Sequence, residues 1–434
     1  MKPGLLPFDD ALAALLAQAA PIEEVETVDT AAAAGRVLAA DIRSTLDVPP
    51  RDNTQMDGYA VRCADLAAAP VSRLRVSQRI LAGHPGSPLE PGTVARIFTG
   101  GEMPVTQRIP AGHVGRPLRP GEAARIFTGG LVPEGADAIV MQEMAVVEGD
   151  TVAFSQCPAP GEWTRRAGED IRSGSVILPA GTRRSAQATG LAASVGLASL
   201  PVRRAVRVAC FFTGDELAMP GEPLRPGAIY NSNRYVLGAL LRGLGCELTD
   251  LGNVPDSLSA TREALRTAAQ GNDLIVTSGG VSVGEEDHVK PAVEAEGELR
   301  MWQIAMKPGK PLAYGRVRGA TTAHFIGLPG NPVSSFVTFM LLVRPFVQRL
   351  QGMTEVAPRA LPMRADFDWP KPDRRREFLR ARVNAQGGLD LFPNQSSGVL
   401  TSTVWGDGLI DNPPLHAIAA GDVVRFLPFS ELVH

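Results

Sequence analysis

Three times between Val206 and Gly352 an apolar strand-like run ends in a glycine-bearing turn, and that succession restricts the fold more than any other feature. Val206-Arg207-Val208-Ala209-Cys210-Phe211-Phe212 runs into Thr213-Gly214-Asp215-Glu216-Leu217. Leu274-Ile275-Val276-Thr277 runs into Ser278-Gly279-Gly280, and Ala323-His324-Phe325-Ile326 runs into Gly327-Leu328-Pro329-Gly330-Asn331-Pro332. Helical patterns lie between them. Asn231 or Asn233 caps a helix carrying Val236, Leu237, Leu240, Leu241 and Leu244 on one face, with Gly245 as its stop, and a second helix spans Ser257 to Ala269. Repeated strand, turn and helix predict a mostly parallel, doubly wound α/β domain with helices on both faces. Ligands of such sheets gather at the carboxyl ends of the strands, where the three turns converge.

The flanking segments are of another kind. A helix is expected over Asp9 to Ala20, then a strand over Val25 to Val28 and an alanine-rich helix ending near Gly35. From Val48 to about Ser185, short strands such as Ala138–Met141 and Ser175–Leu178 alternate with Pro and Gly. After Pro358 short strands return, at Glu377–Val383 and Asp422–Phe426. Within the β-rich part Ala82–Gly101 recurs almost unchanged as Ala111–Gly130. Two copies are too few for a stacked array, so a local duplication is the reading.

A chain of 434 residues exceeds one core and predicts several structural units. Its formal net charge of −3 gives no basic footprint for nucleic acid. Cys63, Cys157, Cys210 and Cys246 show no C-x-x-C spacing, which suits a reducing compartment, and a cytoplasmic location is expected. The most apolar run, Phe336 to Val343, is far short of the ~20 residues that span a bilayer, so no membrane segment is expected.

Chemistry concentrates in the turns. Ser278-Gly279-Gly280-Val281-Ser282-Val283-Gly284-Glu285-Glu286-Asp287 offers glycines that let backbone N–H groups approach an anion, hydroxyl donors, and carboxylates suited to a hydrated Mg²⁺ on phosphate. It lacks the Walker spacing. Lys307-Pro308-Gly309-Lys310-Pro311 adds two cations on a stiffened loop, although a solvated basic turn is the favoured reading of that segment taken alone. Glu216 sits where the first strand ends. Asp57-Gly58 reads as a hairpin turn, Thr128-Gly129 and Gly168-Glu169-Asp170 as further turns, and Arg374-Arg375-Arg376 as a solvated face.

Taken in order, these segments resemble the molybdopterin molybdenumtransferase family, which includes the C-terminal enzyme domain of gephyrin. The match runs through Asn53–Val61, Arg125–Glu143, Arg166–Ile171, Thr213–Leu217, Tyr230–Asn233, Ser278–Asp287, Lys307–Pro311, Gly327–Pro332 and Gln395–Leu409. The resemblance implies a small β domain with the N-terminal helix (1–47 and 146–185), a β-rich lobe that reaches across a homodimer (48–145, with copies 82–101 and 111–130), an α/β molybdopterin-binding domain (186–352) and a C-terminal β barrel (353–434). It implies insertion of molybdenum from molybdate into molybdopterin-AMP, with Mg²⁺ and release of AMP. The family's functional positions fall on Asp57, Thr128, Asp170, Glu216, Asp256, Asp287, Lys307 and Pro329. Asp287 and Glu216 would hold the metal, and Lys307 and Lys310 would balance phosphate or molybdate charge. Ser278, Gly279, Gly280 and Ser282 would cradle the ligand. Asp57, Thr128 and Asp170 would come from the lobe. Thr128 is chosen over Thr99 because the second copy leads directly into Pro133-Glu134-Gly135-Ala136-Asp137. Gln303 departs from the basic residue expected there.

Two other readings stand beside this one. Molybdopterin adenylyltransferase has a related α/β domain with a similar Ser-Gly-Gly turn, but the Met56-Asp57-Gly58-Tyr59 block and the C-terminal β region favour the molybdenum-inserting step. A non-catalytic molybdopterin-binding scaffold is the third. Expected partners are small molecules, a second copy of the chain, and transiently the adenylyltransferase and recipient molybdoenzymes.

Overall fold

The computed structural model describes residues 5–66, 75–79, 93–96, 103–148, 151–154, 156–183, 185–281 and 288–433. Ser282, Asp287, Thr99 and most of the first repeat copy lie outside them. The chain divides into two compact units: 1–41 with 179–193 and 197–434, and 42–178 with 194–196.

In the first unit the α/β part runs β1 (Arg207–Thr213), α1 (Ser232–Gly243), β2 (Glu247–Val254), α2 (Leu258–Ala268), β3 (Leu274–Ser278), α3 (Val289–Glu296), β4 (Gly297–Gln303), β5 (Pro311–Val317), β6 (Ala323–Leu328) and α4 (Pro332–Leu350). The sheet order is β2-β1-β3-β6-β5-β4. The β2, β1, β3 and β6 pairings are parallel, whereas β5 pairs antiparallel with β6, and β4 pairs antiparallel with β5 and so runs in the direction of β6. The sequence shows why both faces are covered. In β1, Val208, Cys210 and Phe212 enter one core with Leu237 and Leu241 of α1 and most of α4, while Ala209 and Phe211 enter another with Leu265 of α2 and Val293 of α3. An all-apolar strand is what a sheet buried on both faces demands.

The expected caps are present. The Asn231 side chain accepts the Arg234 N–H at the start of α1, and Ser257 does the same for Ala260 in α2. The N-terminal helix is Phe8–Leu16 and stops short of Ala20, and the alanine run shrinks to a single 3₁₀ turn, Ala31–Ala33. Three alanines lend propensity but too little apolar surface to hold a longer helix. The Phe336–Val343 run is part of the 19-residue helix α4, which by length and composition could cross a membrane; 89% of its apolar window is buried in this unit.

His324 on β6 lies between the Tyr314 hydroxyl, 2.9 Å from its Nδ1, and the Phe346 ring. Burial lowers its pKa to about 4. The imidazole therefore stays neutral in the folded chain while the unfolded chain takes up a proton below about 6.5, so stability falls as pH drops from about 6.5 to about 4. The expected cost across that window is roughly 3 kcal/mol. Denaturant melts of His324→Phe should lack this component of the pH slope.

After α4 the chain forms strands Leu361–Arg364, Arg376–Val383, Leu389–Leu391, Gly408–Asn412 and Val423–Pro428. Met306–Lys307 pairs with the start of Arg376–Val383, and Leu361–Arg364 is the other edge strand. A bridge from Ala365 to Leu389 brings the strand Leu389–Leu391 back to that edge.

The second unit is built around a six-stranded sheet in the order Ala145–Glu148, Thr151–Phe154, Met103–Ile109, Ala123–Ile126, Gly58–Val61, Ala138–Met141. Tyr59 and Val61 face a core with Val152 and Phe154, and Ala60 faces Ile109, Ile126 and Ile139. Asp57-Gly58 is not a hairpin turn. Gly58 begins a central strand, and a Cβ there would stand 2.2 Å from the Val140 carbonyl oxygen, so close strand approach requires the glycine.

Candidate functional site

At the carboxyl ends of β1, β3 and β6 a cavity of about 980 Å³ opens within the first unit. Glu216, Asp256, Ser278, Gly279, Gly280, Lys307, Lys310 and Pro329 all line it. The strand-end turns meet there as the α/β pattern predicts.

Each wall has a local cause. After β1 the backbone turns at Gly214, whose φ is +143°, and Leu217 N–H closes the turn on the Gly214 carbonyl at 3.0 Å. The exposed Glu216 carboxylate folds back over Gly214, 2.5 Å from where a Cβ would be. Asp215 accepts the Asp256 N–H at 3.2 Å, which ties the turn after β2 to the turn after β1. Gly279 and Gly280 have φ of +100° and +62°. A Cβ on Gly279 would stand 2.7 Å from the Thr213 carbonyl oxygen. Only glycine serves there without strain.

One side chain stitches the turns after β3 and β6. Asn233 Nδ2 donates to Ser278 Oγ and to the Gly330 carbonyl, both at 2.8 Å, and Ser278 Oγ donates to the Pro329 carbonyl at 3.0 Å. Asn233 Oδ1 is buried with no hydrogen-bond partner among the described residues.

The basic wall is asymmetric. Lys307, joined to Pro308 by a cis peptide, sits in a short strand beside Glu377; its ammonium lies 3.2 Å from the fully buried Glu377 carboxylate and 3.5 Å from Asp373. Glu377 also accepts Trp369 Nε1–H at 2.8 Å. Lys310 is exposed and makes no ion pair among the described residues. It lines the cavity.

Sequence reasoning missed a fourth wall. Arg375 and Gln395–Gly398 line the same cavity, although the arginine run reads as a solvated face. Arg375 grips Asp373 through both carboxylate oxygens, at 2.9 and 2.8 Å, which holds the Asp373 carboxyl far below the usual range. Arg376 pairs instead with Asp411 and Asp9. The Gln395 loop is pinned by the buried Arg380, whose N–H donates to Gln395 Oε1 and whose guanidinium reaches the Ser396 carbonyl, and by Val333 N–H of α4 donating to the Ser397 carbonyl. The polar Gln395-Ser396-Ser397-Gly398 turn was the available signal.

In the second unit Asp57 and Thr128 come together. Asp57 Oδ1 accepts the Thr128 N–H at 2.7 Å and its hydroxyl at 2.6 Å, and these bonds lower the carboxyl pKa. Asp170 is exposed in a loop whose backbone pairs with Val48, and no hydrogen bond joins it to Asp57 or Thr128 among the described residues. Gln303 ends β4, its carbonyl accepting Leu6 N–H. Among the described residues no group of three or more His, Cys, Asp or Glu side chains is arranged to hold a metal ion.

Strand-end turns, paired glycines and lysines around one cavity suit an anionic small molecule. Comparison with known proteins makes the class specific. Residues 209–349 match a probable molybdopterin binding domain, 6–109 and 105–196 the MoeA N-terminal region (domain I and II), and 362–429 the MoeA C-terminal region (domain IV). A molybdopterin molybdenumtransferase of Haemophilus influenzae is 36% identical over 99% of this chain and 100% of its own. One from Nostoc is 36% identical over 85% of this chain and 80% of its own. The structure of a molybdopterin biosynthesis MoeA protein from Pyrococcus horikoshii superposes with a TM-score of 0.81 at 28% identity, covering 98% of this chain and 100% of that one. The chain belongs to the molybdopterin molybdenumtransferase family, whose members are enzymes of molybdenum-cofactor biosynthesis.

Proposed function

We propose that the chain inserts molybdenum from molybdate into molybdopterin-AMP and releases AMP. The observation that carries this reading is the convergence of Glu216, Asp256, Ser278, Gly279, Gly280, Lys307, Lys310 and Pro329 on one cavity. Both substrates are anions, and phosphoanhydride cleavage builds negative charge on the leaving oxygens. Lys310 and Lys307 stand where they balance that charge, and the Gly279-Gly280 turn lets backbone donors approach closely. The carboxylates of Glu216 and Asp256 at the same cavity are hard oxygen donors that fit a hydrated Mg²⁺ shared with phosphate. Glu216 and Asp287 would hold it, and the cation would neutralise charge on the phosphates. Ser282, two residues beyond Gly280 in the sequence, would add a hydroxyl donor.

We read the domains as a small β domain (1–47 and 146–185), a lobe (48–145), the α/β domain (186–352) and a C-terminal barrel (353–434); the Ala365–Leu389 bridge supports closure of the last. The protein works as a cytoplasmic homodimer, with Asp57, Thr128 and Asp170 from one subunit completing the cavity of the other. The bonded Asp57–Thr128 pair supports a preformed lobe contribution. Subunits carrying Asp57→Asn and subunits carrying Lys310→Ala are each expected to be inactive alone. Mixed and reassociated, they should regain molybdate-dependent AMP release to about a quarter of wild type, the share of sites that random pairing leaves intact. Mixtures no better than either parent would remove the shared site.

A further inference from the structure

The described strands of the duplicated segment repeat in their pairing as well as in sequence. Arg75–Arg79 and Thr93–Arg96 pair in parallel through Val76–Val94, Gln78–Ala95 and Arg79–Arg96, with an irregularity between Val76 and Gln78. Shifted by 29 residues, these three pairs are pairs of the second copy, Val105–Ala123, Gln107–Ala124 and Arg108–Arg125, with the irregularity between Val105 and Gln107; Arg75–Thr93 has no counterpart pair. The repeat thus begins a strand earlier than Ala82 and Ala111, at Val76-Ser77-Gln78-Arg79 and Val105-Thr106-Gln107-Arg108. Among the described residues only the second copy is built into the six-stranded sheet, where Ala124 faces Ala60 and Arg125 faces Tyr59; the described strands of the first copy form a two-stranded sheet.

We propose that the two copies compete for that one place in the sheet, so that Thr93–Arg96 exchanges with Ala123–Ile126 beside Gly58–Val61. Three observations carry this. The two strands need the same backbone register. Their side chains at the slot match, Ala95 for Ala124 and Arg96 for Arg125, so the cation that stands over the Tyr59 ring has a counterpart. The copies stand in tandem, so excluding either leaves the same connection and only moves the looped-out segment from one side of the strand to the other, a small change in closure entropy. Consistent with this, the N-terminal family model matches in two overlapping pieces, 6–109 and 105–196, that meet at the repeat.

One difference sets the bias. Ala123 is fully buried with Tyr59, Val61 and Phe154, and its counterpart is Val94, whose extra methyl groups crowd that core. The second copy is therefore the major occupant. Exchange withdraws Thr128 from Asp57, because Thr128 follows the displaced strand.

Cysteine pairs in the full-length protein test the idea. Ala60→Cys with Ala124→Cys, oxidised with copper phenanthroline and assigned by peptide mapping, reports the second copy in place. Ala60→Cys with Ala95→Cys reports the first. The expected result is a 60–124 disulfide as the control and a 60–95 disulfide as a minor product. Adding Ala124→Asp, which puts a carboxylate into the buried slot, should make the 60–95 product the major one while amide protection of Gly58–Val61 persists. A 60–124 control that forms without any 60–95 product, even with Ala124→Asp, overturns the exchange. So does loss of that protection in Ala124→Asp with no 60–95 bond. Neither outcome depends on the reaction the protein catalyses.

Discussion

Gly279→Ala is expected to lower kcat/KM for AMP release by about a hundredfold or more and to destabilise the first unit. The backbone at Gly279 has φ of +100°, and the added Cβ would meet the Thr213 carbonyl oxygen at 2.7 Å. The left-handed conformation alone costs a non-glycine residue about 1–2 kcal/mol. The clash is with backbone rather than a flexible side chain end, so the turn after β3 must move against the turn after β1. A displacement of about 1 Å at a reacting centre costs about a hundredfold in rate. Gly271→Ala is the matched control: its φ is +76°, but nothing lies within 4 Å of its Cβ position. That variant should lose a comparable increment of stability from strain and keep its activity. Equal activity losses in the two variants would show that strain, not the turn's position, is responsible.

Lys310→Ala carries the second large effect, and it separates cleanly from stability. Lys310 is exposed, lines the cavity, and has no ion pair among the described residues. Removing it should cost about 10²–10³ in kcat/KM, the range for one electrostatic donor aimed at developing charge. Its unfolding free energy should stay within about 0.5 kcal/mol of wild type. Lys307→Ala should lose both, because its ammonium is the ion-pair partner of the fully buried Glu377 carboxylate among the described residues, and the carboxylate then keeps the neutral donors Trp369 Nε1 and Asn412 Nδ2. A destabilisation of about 1–3 kcal/mol is expected there. A Lys310→Ala variant that turns over normally would remove Lys310 from the charge-balancing role.

The α/β domain was legible because its strands are buried on both faces, so that β1, β3 and β6 read as mostly apolar runs, interrupted by Arg207 and His324, that lead into glycine-bearing turns. The same runs placed Glu216, Ser278 and Pro329 at one sheet edge. Pattern reading did not see that β5 runs antiparallel between β6 and β4, since a buried strand has the same composition in either direction. It also misread Arg375. An arginine triplet looks solvated, and only the tertiary fold separates Arg375, which lines the cavity, from Arg376, which is spent on Asp411 and Asp9. Asp57-Gly58 shows the limit from the other side. The dipeptide is a turn signal, yet the glycine answers a 2.2 Å approach of Val140 and the aspartate holds Thr128, both long-range facts. The duplication was visible as a repeat, but its leading strand, Val76–Arg79, emerged only from the pairing register.

The central claim is tested most directly by AMP release from purified molybdopterin-AMP with Mg²⁺, with and without molybdate, by the wild-type chain. The account predicts release that depends on molybdate and yields a molybdenum-loaded pterin, with no pyrophosphate formed from molybdopterin and ATP. Pyrophosphate release from ATP with no molybdate-dependent AMP would instead assign the adenylylating step, and a folded protein that binds the substrate without releasing AMP would contradict the transferase reading altogether.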